Sequence, residues 1–359
     1  EAEITCIANT IGRRQTVSHI HWGGGTPTIL SNNDLDAVLA GLWDRFEFAS
    51  DVEIAIEADP RTLTYKKTVA LADAGINRAS LGVQDCNAHV QAAINRLQPF
   101  EQTVAAVAAL RAAGIQRINI DLMYGLPLQT VDDIRRTIDA VLPLAPDRLA
   151  VFGYAHVPWM KSHQKMIDDT ALPGADERLQ QSEAMAQALV ANGYQRIGLD
   201  HFARTDDALS VALQTGNLRR NFQGYTTDQA DTLIGFGASA IGSLPQGYVQ
   251  NSADFGDYGR AIGDGRLATV RGVELSDDDR QRRAIIERLM CSMTVNLDDI
   301  SANFANELTA LQPFADDELV CLDGATVTVT EAGRPWLRVI CAVFDSYLQQ
   351  NEARHSAAV

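Results

Sequence analysis

Three consecutive glycines follow the first strand-like segment of the sequence. They stand in Gly23-Gly24-Gly25-Thr26-Pro27-Thr28, directly after residues 18–22. Glycines have no Cβ, so a ligand's polar groups can approach the backbone N–H and C=O groups closely. The pattern is neither G-x-G-x-x-G nor a phosphate loop with its lysine. It predicts a ligand-binding turn, in preference to a simple tight turn between a strand and a helix.

Polar side chains stand at the ends of successive strand-like segments. Taken singly, such an acid is as often a helix cap or an ion-pair partner. The carboxyl ends of parallel strands meet at one edge, however, where barrel enzymes carry their chemistry. Arg96 either faces the same edge or pairs with a surface acid. The pattern as a whole predicts an occupied barrel mouth, formed by Glu57, Gln84, Asp121, Tyr154, His156, Asp200 and His201.

Histidines and cysteines do not form a local metal-binding pattern. His21, His156 and His201 lie on three different strand-like segments, where single histidines more often hydrogen-bond or pack. No serine-nucleophile motif is present. The cysteines are too scattered for a C-x2-C motif or a disulfide framework, and we expect reduced, mostly buried thiols at Cys6, Cys86, Cys291, Cys321 and Cys341.

The elements that position these residues alternate between strand and helix in the first two-thirds of the chain. Six strand candidates cover 18–22, 52–58, 79–84, 118–124, 149–155 and 194–202. Strand–helix alternation predicts parallel strands, in a doubly wound sheet or a partial β/α barrel. In residues 52–58 one face carries Val, Ile, Ile and Ala, and the other carries Glu53, Ala55 and Glu57. Acids on one face favour the barrel, because a strand covered by helices on both faces is apolar on both.

The remaining sequence predicts two further regions. We expect a barrel core over 1–206, a Gly-rich connecting region that covers the site over 207–270, and a helical, winged-helix-like domain over 271–359. In the last, a helix capped by Ser276 precedes a hairpin over 319–330 and a long helix from Gly333.

Composition limits the possible functions. The chain has 359 residues and a formal net charge of −16, which argues against nucleic-acid and anionic-membrane binding. No apolar run reaches the ~18 residues that span a bilayer. We therefore expect a soluble, cytoplasmic protein, in which an anionic substrate would need a locally basic pocket.

Several blocks together resemble the oxygen-independent coproporphyrinogen III oxidases, which are radical S-adenosylmethionine enzymes. The blocks are His21 to Thr28, Glu57-Ala58-Asp59-Pro60, Gly82-Val83-Gln84-Asp85, Asn119 to Pro127 and Tyr154-Ala155-His156. Two more, Asp200-His201-Phe202-Ala203-Arg204 and Asn221 to Thr227, are similar to the oxidase rather than to the related heme-chaperone branch. The resemblance extends over about residues 16–350.

The resemblance implies a fold, a reaction and cofactors. The fold would be a partial (β/α) barrel with a mostly helical C-terminal domain. The reaction would convert two propionates of coproporphyrinogen III to vinyl groups, with a 5′-deoxyadenosyl radical made from S-adenosylmethionine at a [4Fe-4S] cluster. Two S-adenosylmethionine molecules, a monomer, and an unidentified electron donor and acceptor are also implied. Cofactor contacts would fall on Gly24, Gly25, Thr26, Glu57, Gln84, Arg96, Asp121, Ala155 and Ile241.

The sequence departs from the family at the cluster loop. The family carries C-x3-C-x2-C before the triple glycine, whereas Cys6 is the sole cysteine before Gly23. We expect residues 1–16 to be the tail of the helix that follows that loop, and the chain to be an N-terminally truncated oxidase. Without the loop, this chain would bind no cluster. The alternative is a non-enzymatic porphyrin-binding or heme-chaperone-like protein, and a barrel lyase ranks last for want of a strand-end lysine.

The substrate's carboxylates need cationic partners. Arg204 and Arg220 are the first candidates, with Arg219 and Lys161 behind them, and His201 is a further substrate candidate.

Overall fold

The first half of the chain repeats strand and helix around one sheet. A computed structural model describes residues 1–12, 14–300 and 303–348. Its elements up to residue 204 are α1 (Ala2–Ile11), β1 (Thr16–Trp22), α2 (Asn32–Arg45), β2 (Glu47–Ala58), α3 (Tyr65–Asp73), β3 (Arg78–Gln84), α4 (Ala88–Ala93), α5 (Phe100–Ala112), β4 (Arg117–Tyr124), α6 (Val131–Val141), β5 (Arg148–Gly153), α7 (Ala175–Ala191), β6 (Tyr194–Ile197) and β7 (His201–Arg204).

The sheet has seven strands in the order β1-β2-β3-β4-β5-β7-β6. The first five are parallel and lie side by side in chain order. A doubly wound sheet would reverse its strand order, so consecutive order is the arrangement of an open β/α barrel.

The prediction of one parallel strand over 194–202 is wrong. The segment forms the antiparallel hairpin β6–β7, and β7 also pairs antiparallel with β5. The chain reverses at Gly198, whose φ of +57° is a conformation that glycine adopts without a Cβ clash. Five strands are therefore parallel, instead of six.

The two faces of the sheet differ as the alternation in residues 52–58 predicts. Ile54 and Ile56 are buried in the main core, with Ile118 and Ile120 of β4, under the surrounding helices. Burial of such apolar side chains stabilises the helix-covered face by about 25 cal/mol per Å². The other face is polar and lines the lumen.

Charged residues close the base of the lumen. The Glu53 carboxylate lies 3.0 Å from Nε of Arg78 and 4.0 Å from Arg148. Asp207 pairs with the same two arginines, at 3.7 and 2.8 Å. The side chains of Arg78 and Arg148 are only 3% and 7% exposed. Buried cations of this kind persist because carboxylates compensate their charge.

The region after residue 206 is more regular than its glycine content predicts. It contains α8 (Ala208–Gln214), β8 (Arg219–Asn221), β9 (Gly224–Thr226), β10 (Ile241–Leu244), β11 (Gly247–Asn251), α9 (Phe255–Gly263) and β12 (Thr269–Glu274). Strands β8 and β9 form a hairpin, and β10, β11 and β12 form an antiparallel sheet.

Residues 219–230 span the open side of the sheet. At the β1 edge, the Ser18 hydroxyl donates to Asp228 at 2.7 Å, and His19 lies 3.5 Å from the same carboxylate. Toward the other edge, the Tyr225 ring contacts the His201 ring of β7, with centroids 5.2 Å apart. This segment therefore joins both sides of the open barrel.

The last elements are α10 (Asp277–Ser292), β13 (Thr294–Asn296), α11 (Ala305–Asp316), β14 (Val320–Asp323), β15 (Thr326–Val329) and α12 (Leu337–Ala342). The predicted hairpin is confirmed as β14–β15. The long helix from Gly333 is wrong over the described residues: a 3-10 turn, Arg334–Trp336, precedes the six-residue α12, and residues 349–359 lie outside the described part. Among described residues, no helix is long and apolar enough to cross a membrane.

Candidate active site

The triple glycine forms an open turn at the mouth of the lumen. Gly24 and Gly25 have φ values of +83° and +129°, and an added Cβ at either would meet no atom within 4 Å. The backbone is therefore exposed in a conformation that other residues adopt only with strain. An added Cβ on Gly23 would lie 2.8 Å from the Glu57 carboxylate. The turn thus lies directly against the end of β2.

Glu57 and His21 form a pair beneath this turn. His21 Nε2 lies 3.2 Å from Glu57 Oε1, and both side chains are about one-third exposed to the lumen. Their strands are neighbours, with His21 opposite Ala55 in the parallel register. A carboxylate of this exposure can accept hydrogen bonds from a cationic ligand group.

Gln84 and Arg96 form the next part of the mouth. Gln84 has a φ of +68°, and its side-chain amide nitrogen would lie 2.9 Å from a Cβ added to Gly82. Arg96 donates to the Gly82 carbonyl oxygen at 2.8 Å and lies 3.6 Å from the Asp59 carboxylate. Arg96 Nε is buried and has no partner among the described residues. A bound ligand can supply that acceptor.

Asp121 lies deeper in the lumen, on β4. The Ser80 hydroxyl of β3 donates to its two carboxylate oxygens, at 3.0 and 3.1 Å. Burial raises the pKa of Asp121 to about 6, and the Ser80 hydrogen bond and the charge of His201 offset only part of that effect. The negative charge of Glu57 adds to the increase in this pKa. Asp121, Glu57 and His201 therefore share one electrostatic environment.

His201 faces this environment from β7. Its Nδ1 lies 2.7 Å from Asp200 Oδ1. Burial opposes ionisation of Asp200, but the hydrogen bond and charge of His201, together with the charges of Arg220 and Arg338, more than offset burial and lower the Asp200 pKa. An ionised carboxylate only accepts, so Nδ1 of His201 carries the hydrogen. The Phe152 and Tyr225 rings contact the imidazole edge-on, and His201 Nε2 would lie 3.3 Å from a Cβ added to Gly224.

The proposed substrate cations are dispersed. Arg204 lies at the base, since its amide donates to the Asp147 carbonyl oxygen, and its side chain pairs with Asp206 at 3.1 Å. Arg219 pairs with Glu287 of α10 at 2.8 Å.

Arg220 and Lys161 occupy other positions. Arg220 stacks on the Tyr225 ring at 5.0 Å and acts electrostatically on Asp200, next to His201. Lys161 is exposed in the segment that follows β5. The structure thus brings His201 and Arg220 together and places Arg204 at the opposite end of the sheet.

The two predicted backbone contacts lie in different places. Ala155 follows β5 at the mouth, and its carbonyl oxygen accepts from Gln164 at 3.0 Å. Nearby, the Tyr154 hydroxyl lies 3.2 Å from Nδ1 of His156. Ile241 begins β10, in the separate antiparallel sheet.

Sequence reasoning missed three supporting residues. Ser80 shares the lumen face with Gln84, so the two-residue period of β3 could have identified it. Asp59 accepts from Arg61 at 2.6 Å and lies beside Arg96, and its place in Glu57-Ala58-Asp59-Pro60 was a usable signal. Tyr225 reaches His201 only through tertiary folding, and no local pattern indicates that contact.

Comparison with known proteins identifies the superfamily and then the family of this chain. A family model described as the Radical SAM superfamily matches residues 2–141. The oxygen-independent coproporphyrinogen III oxidase of Bradyrhizobium diazoefficiens is 51% identical over 365 residues, covering 100% of this chain and 81% of the relative. That of Pseudomonas aeruginosa is 40% identical, covering 99% of this chain and 80% of the relative.

A solved structure agrees with these relatives. The Escherichia coli coproporphyrinogen III oxidase, described as a radical SAM enzyme, superposes with a TM-score of 0.91 at 40% identity, over 97% of this chain and 82% of that chain. The chain belongs to the oxygen-independent coproporphyrinogen III oxidase family, within the radical SAM (S-adenosylmethionine) superfamily. The predicted family and α/β fold class are confirmed.

The family implies S-adenosylmethionine and a [4Fe-4S] cluster. The mouth fits S-adenosylmethionine: the Gly24–Gly25 backbone is open, Glu57 and Asp121 can attract its cationic groups, and Arg96 Nε needs an acceptor.

The cluster does not find its ligands among the described residues. All five cysteines are free and lie in separate parts of the fold, and the expectation of mostly buried thiols is wrong, because only Cys291 and Cys341 are buried. Within residues 1–12, 14–300 and 303–348, no three Cys, His, Asp or Glu side chains are grouped to hold a metal ion. The described part therefore supplies the mouth and the walls of the site, without three thiolates for iron.

Proposed function

We propose that this chain binds S-adenosylmethionine and coproporphyrinogen III in the lumen, for the oxygen-independent oxidative decarboxylation of two propionates to vinyl groups in heme biosynthesis. The observation that carries this proposal is the 51% identity to a named oxidase over the whole chain. The polar lumen, with its open glycine turn, supports it.

The residues at the mouth have distinct parts in this proposal. Backbone groups of Gly24, Gly25 and Thr26 and the side chains of Glu57, Gln84, Arg96 and Asp121 bind and orient S-adenosylmethionine. When bound, S-adenosylmethionine supplies the group that removes a hydrogen atom from the propionate. Ala155 and Ile241 are proposed to contribute backbone or apolar contacts, and two cofactor molecules are proposed from the family resemblance.

His201 is the best-placed group for a substrate carboxylate. Asp200 accepts from Nδ1–H of His201, which leaves Nε2 as the ring nitrogen available to a ligand; a ring that carries hydrogen on both nitrogens donates Nε2–H to the carboxylate. Arg220 adds positive charge behind it, next to Asp200 and over the Tyr225 ring. A carboxylate bound here faces both the cofactor residues of β2–β4 and the hairpin β8–β9. Arg204 at the base does not share this position.

Binding by the chain is the first test. Titration calorimetry with S-adenosylmethionine compares wild type with Glu57→Gln, which keeps the side-chain shape and removes its charge. Glu47→Gln is the matched control, because Glu47 is exposed at the other end of the same strand. We expect Glu57→Gln to weaken affinity by about tenfold or more, since hydrogen bonds to charged groups contribute about 1.5–3 kcal/mol. Equal affinities for both variants would contradict the assigned role of Glu57.

Turnover is the second test. The complete gene product, treated anaerobically with iron and sulfide, is supplied with S-adenosylmethionine, a one-electron reductant and an electron acceptor. It is then assayed for protoporphyrinogen IX, CO2 and 5′-deoxyadenosine formed from coproporphyrinogen III. One CO2 for each vinyl group formed supports the proposal. Porphyrin binding without any CO2 release would refute it and favour a non-enzymatic porphyrin-binding protein.

A further inference from the structure

Within the segment between β5 and α7 (residues 154–174), residues 157–167 form a loop beside the mouth, here called the rim loop. Its internal support is Gln164, which is only 8% exposed. The Gln164 side chain accepts from the Val157 amide at 2.6 Å and donates to the Ala155 carbonyl oxygen at 3.0 Å. Two opposed hydrogen bonds from one buried amide hold the loop against the end of β5.

The far end of the rim loop is also fixed at the mouth. Ile167 packs in a small apolar cluster with Val90, Leu126 and Tyr154. These three residues follow β3, β4 and β5 respectively. The rim loop therefore lies by the carboxyl ends of three strands, the end of the sheet at which Gln84 also lies.

Between these anchors, the rim loop exposes an unusual set of side chains. Met160 and Met166 are 70% and 78% exposed. Lys161 and Lys165 are also exposed, and they are two of the four lysines in the sequence. The loop itself contains no Asp or Glu, although the chain as a whole has a net charge of −16. The exposed Asp168 and Asp169 follow it, and Asp168 caps the next turn by accepting from the amide and hydroxyl of Thr170, at 3.0 and 2.6 Å. A basic and apolar surface on a strongly acidic protein is complementary to a ligand that is both anionic and apolar.

We propose that the rim loop is a docking site for the propionates and the ring edge of the tetrapyrrole substrate. Lys161 and Lys165 pair with propionates that remain outside the reacting position, and Met160 and Met166 contact the ring. This inference rests on the proposed function and deepens it, because His201 and Arg220 in the lumen would bind the reacting propionate. Thioether side chains adapt to flat apolar surfaces, and ammonium groups on flexible stems reach carboxylates at varied distances.

The test measures equilibrium binding of coproporphyrin III, the stable oxidised ring with the same four propionates, by absorbance and fluorescence titration. Wild type is compared with a Lys161→Gln/Lys165→Gln variant. The control variant is Lys66→Gln/Arg135→Gln, which removes two positive charges from exposed sites on α3 and α6. Each titration is repeated at low and high salt, and S-adenosylmethionine affinity is measured in parallel.

We expect the rim-loop variant to bind coproporphyrin III about five- to tenfold more weakly than wild type at low salt. A decrease of this size corresponds to the loss of two exposed ion pairs. The difference should shrink at high salt, and S-adenosylmethionine affinity should not change. Equal Kd values for the rim-loop and control variants would overturn the inference while leaving the proposed function intact. Binding of the uncharged tetramethyl ester as tight as that of the acid would also overturn it. If wild type binds no coproporphyrin III, the proposed function itself fails, and this inference fails with it.

Discussion

Glu53→Gln should destabilise the base of the barrel while leaving its shape unchanged. The variant keeps the side-chain volume and one acceptor oxygen but removes the charge that faces Arg78 and Arg148. At an effective dielectric constant of 20, a unit charge pair at 3.0 Å interacts by about 5–6 kcal/mol. Asp207 still compensates both arginines. We therefore expect a loss of about 2–3 kcal/mol in the free energy of unfolding, near the lower end for breaking a buried pair.

The dependence on pH makes this prediction specific. Burial opposes ionisation of Glu53, but Arg78 and Arg148 more than offset it, so its pKa lies below the ordinary value of 4.5. A carboxyl with a lowered folded-state pKa stabilises the fold above its unfolded pKa and loses that contribution as the pH falls through the folded value. The difference between wild type and Glu53→Gln should thus be full at pH 7 and begin to shrink below pH 4.5.

Urea denaturation followed by circular dichroism and tryptophan fluorescence measures this difference. Asp264→Asn is the control, because Asp264 and its partner Arg266 are 64% and 66% exposed. Exposed pairs of this kind contribute less than about 1 kcal/mol. A Glu53→Gln midpoint equal to that of the control at pH 7 would refute the reasoning, as would a difference that stays constant between pH 7 and pH 3.5.

Three further predictions concern the mouth and the chain reversal. Gly25→Ala should lower the affinity for S-adenosylmethionine at least about tenfold in calorimetry. Gly114→Ala is the control: it introduces a similar strain of about 1–3 kcal/mol at positive φ, and it should leave the Kd unchanged. Since Asp121 has a pKa of about 6, S-adenosylmethionine affinity should fall as the pH drops from 7 to 5, and Asp121→Asn should abolish that slope in the same titration. Gly198→Ala should lower the free energy of unfolding, measured by urea denaturation, by more than about 3 kcal/mol, because its Cβ would lie 2.0 Å from an aromatic ring atom in addition to the strain at positive φ. Gly216→Ala has the same strain but open space around its Cβ, and should lower that free energy by about 1 kcal/mol.

The lumen face was predictable because strand alternation is local. Glu53 and Glu57 on one face of β2, with Ile54 and Ile56 on the other, identify the side that the helices cover. The glycine turn was equally predictable, because three consecutive glycines indicate a backbone conformation that other residues adopt only with strain. Gathering of Glu57 and Asp121 at one mouth follows from parallel strands alone.

The hairpin β6–β7 was not predictable, because its cause is distant. Residues 194–202 have the composition of a single strand, and the reversal at Gly198 is stabilised by contacts from far along the chain. The Tyr225 hydroxyl accepts from the Leu199 amide at 2.9 Å, and Arg334 donates to the Gly198 carbonyl oxygen at 2.8 Å. The same reversal keeps His201 near the mouth and carries Arg204 to the base. One missed turn thus accounts for the different positions of two candidates that are three residues apart.

The bridge formed by residues 219–230 has a consequence for the order of folding. Its contact between Ser18 and Asp228 closes a loop of 210 residues, at an entropic cost that grows with loop length as (3/2)RT ln n and is about 5 kcal/mol here. Neighbouring parallel strands close much shorter loops and can form first. A nascent chain therefore holds a sheet whose polar face and β1 edge stay open to water until residue 228 has been synthesised. Because the uncovered lumen face of the sheet is polar, this delay exposes little apolar surface to other nascent chains.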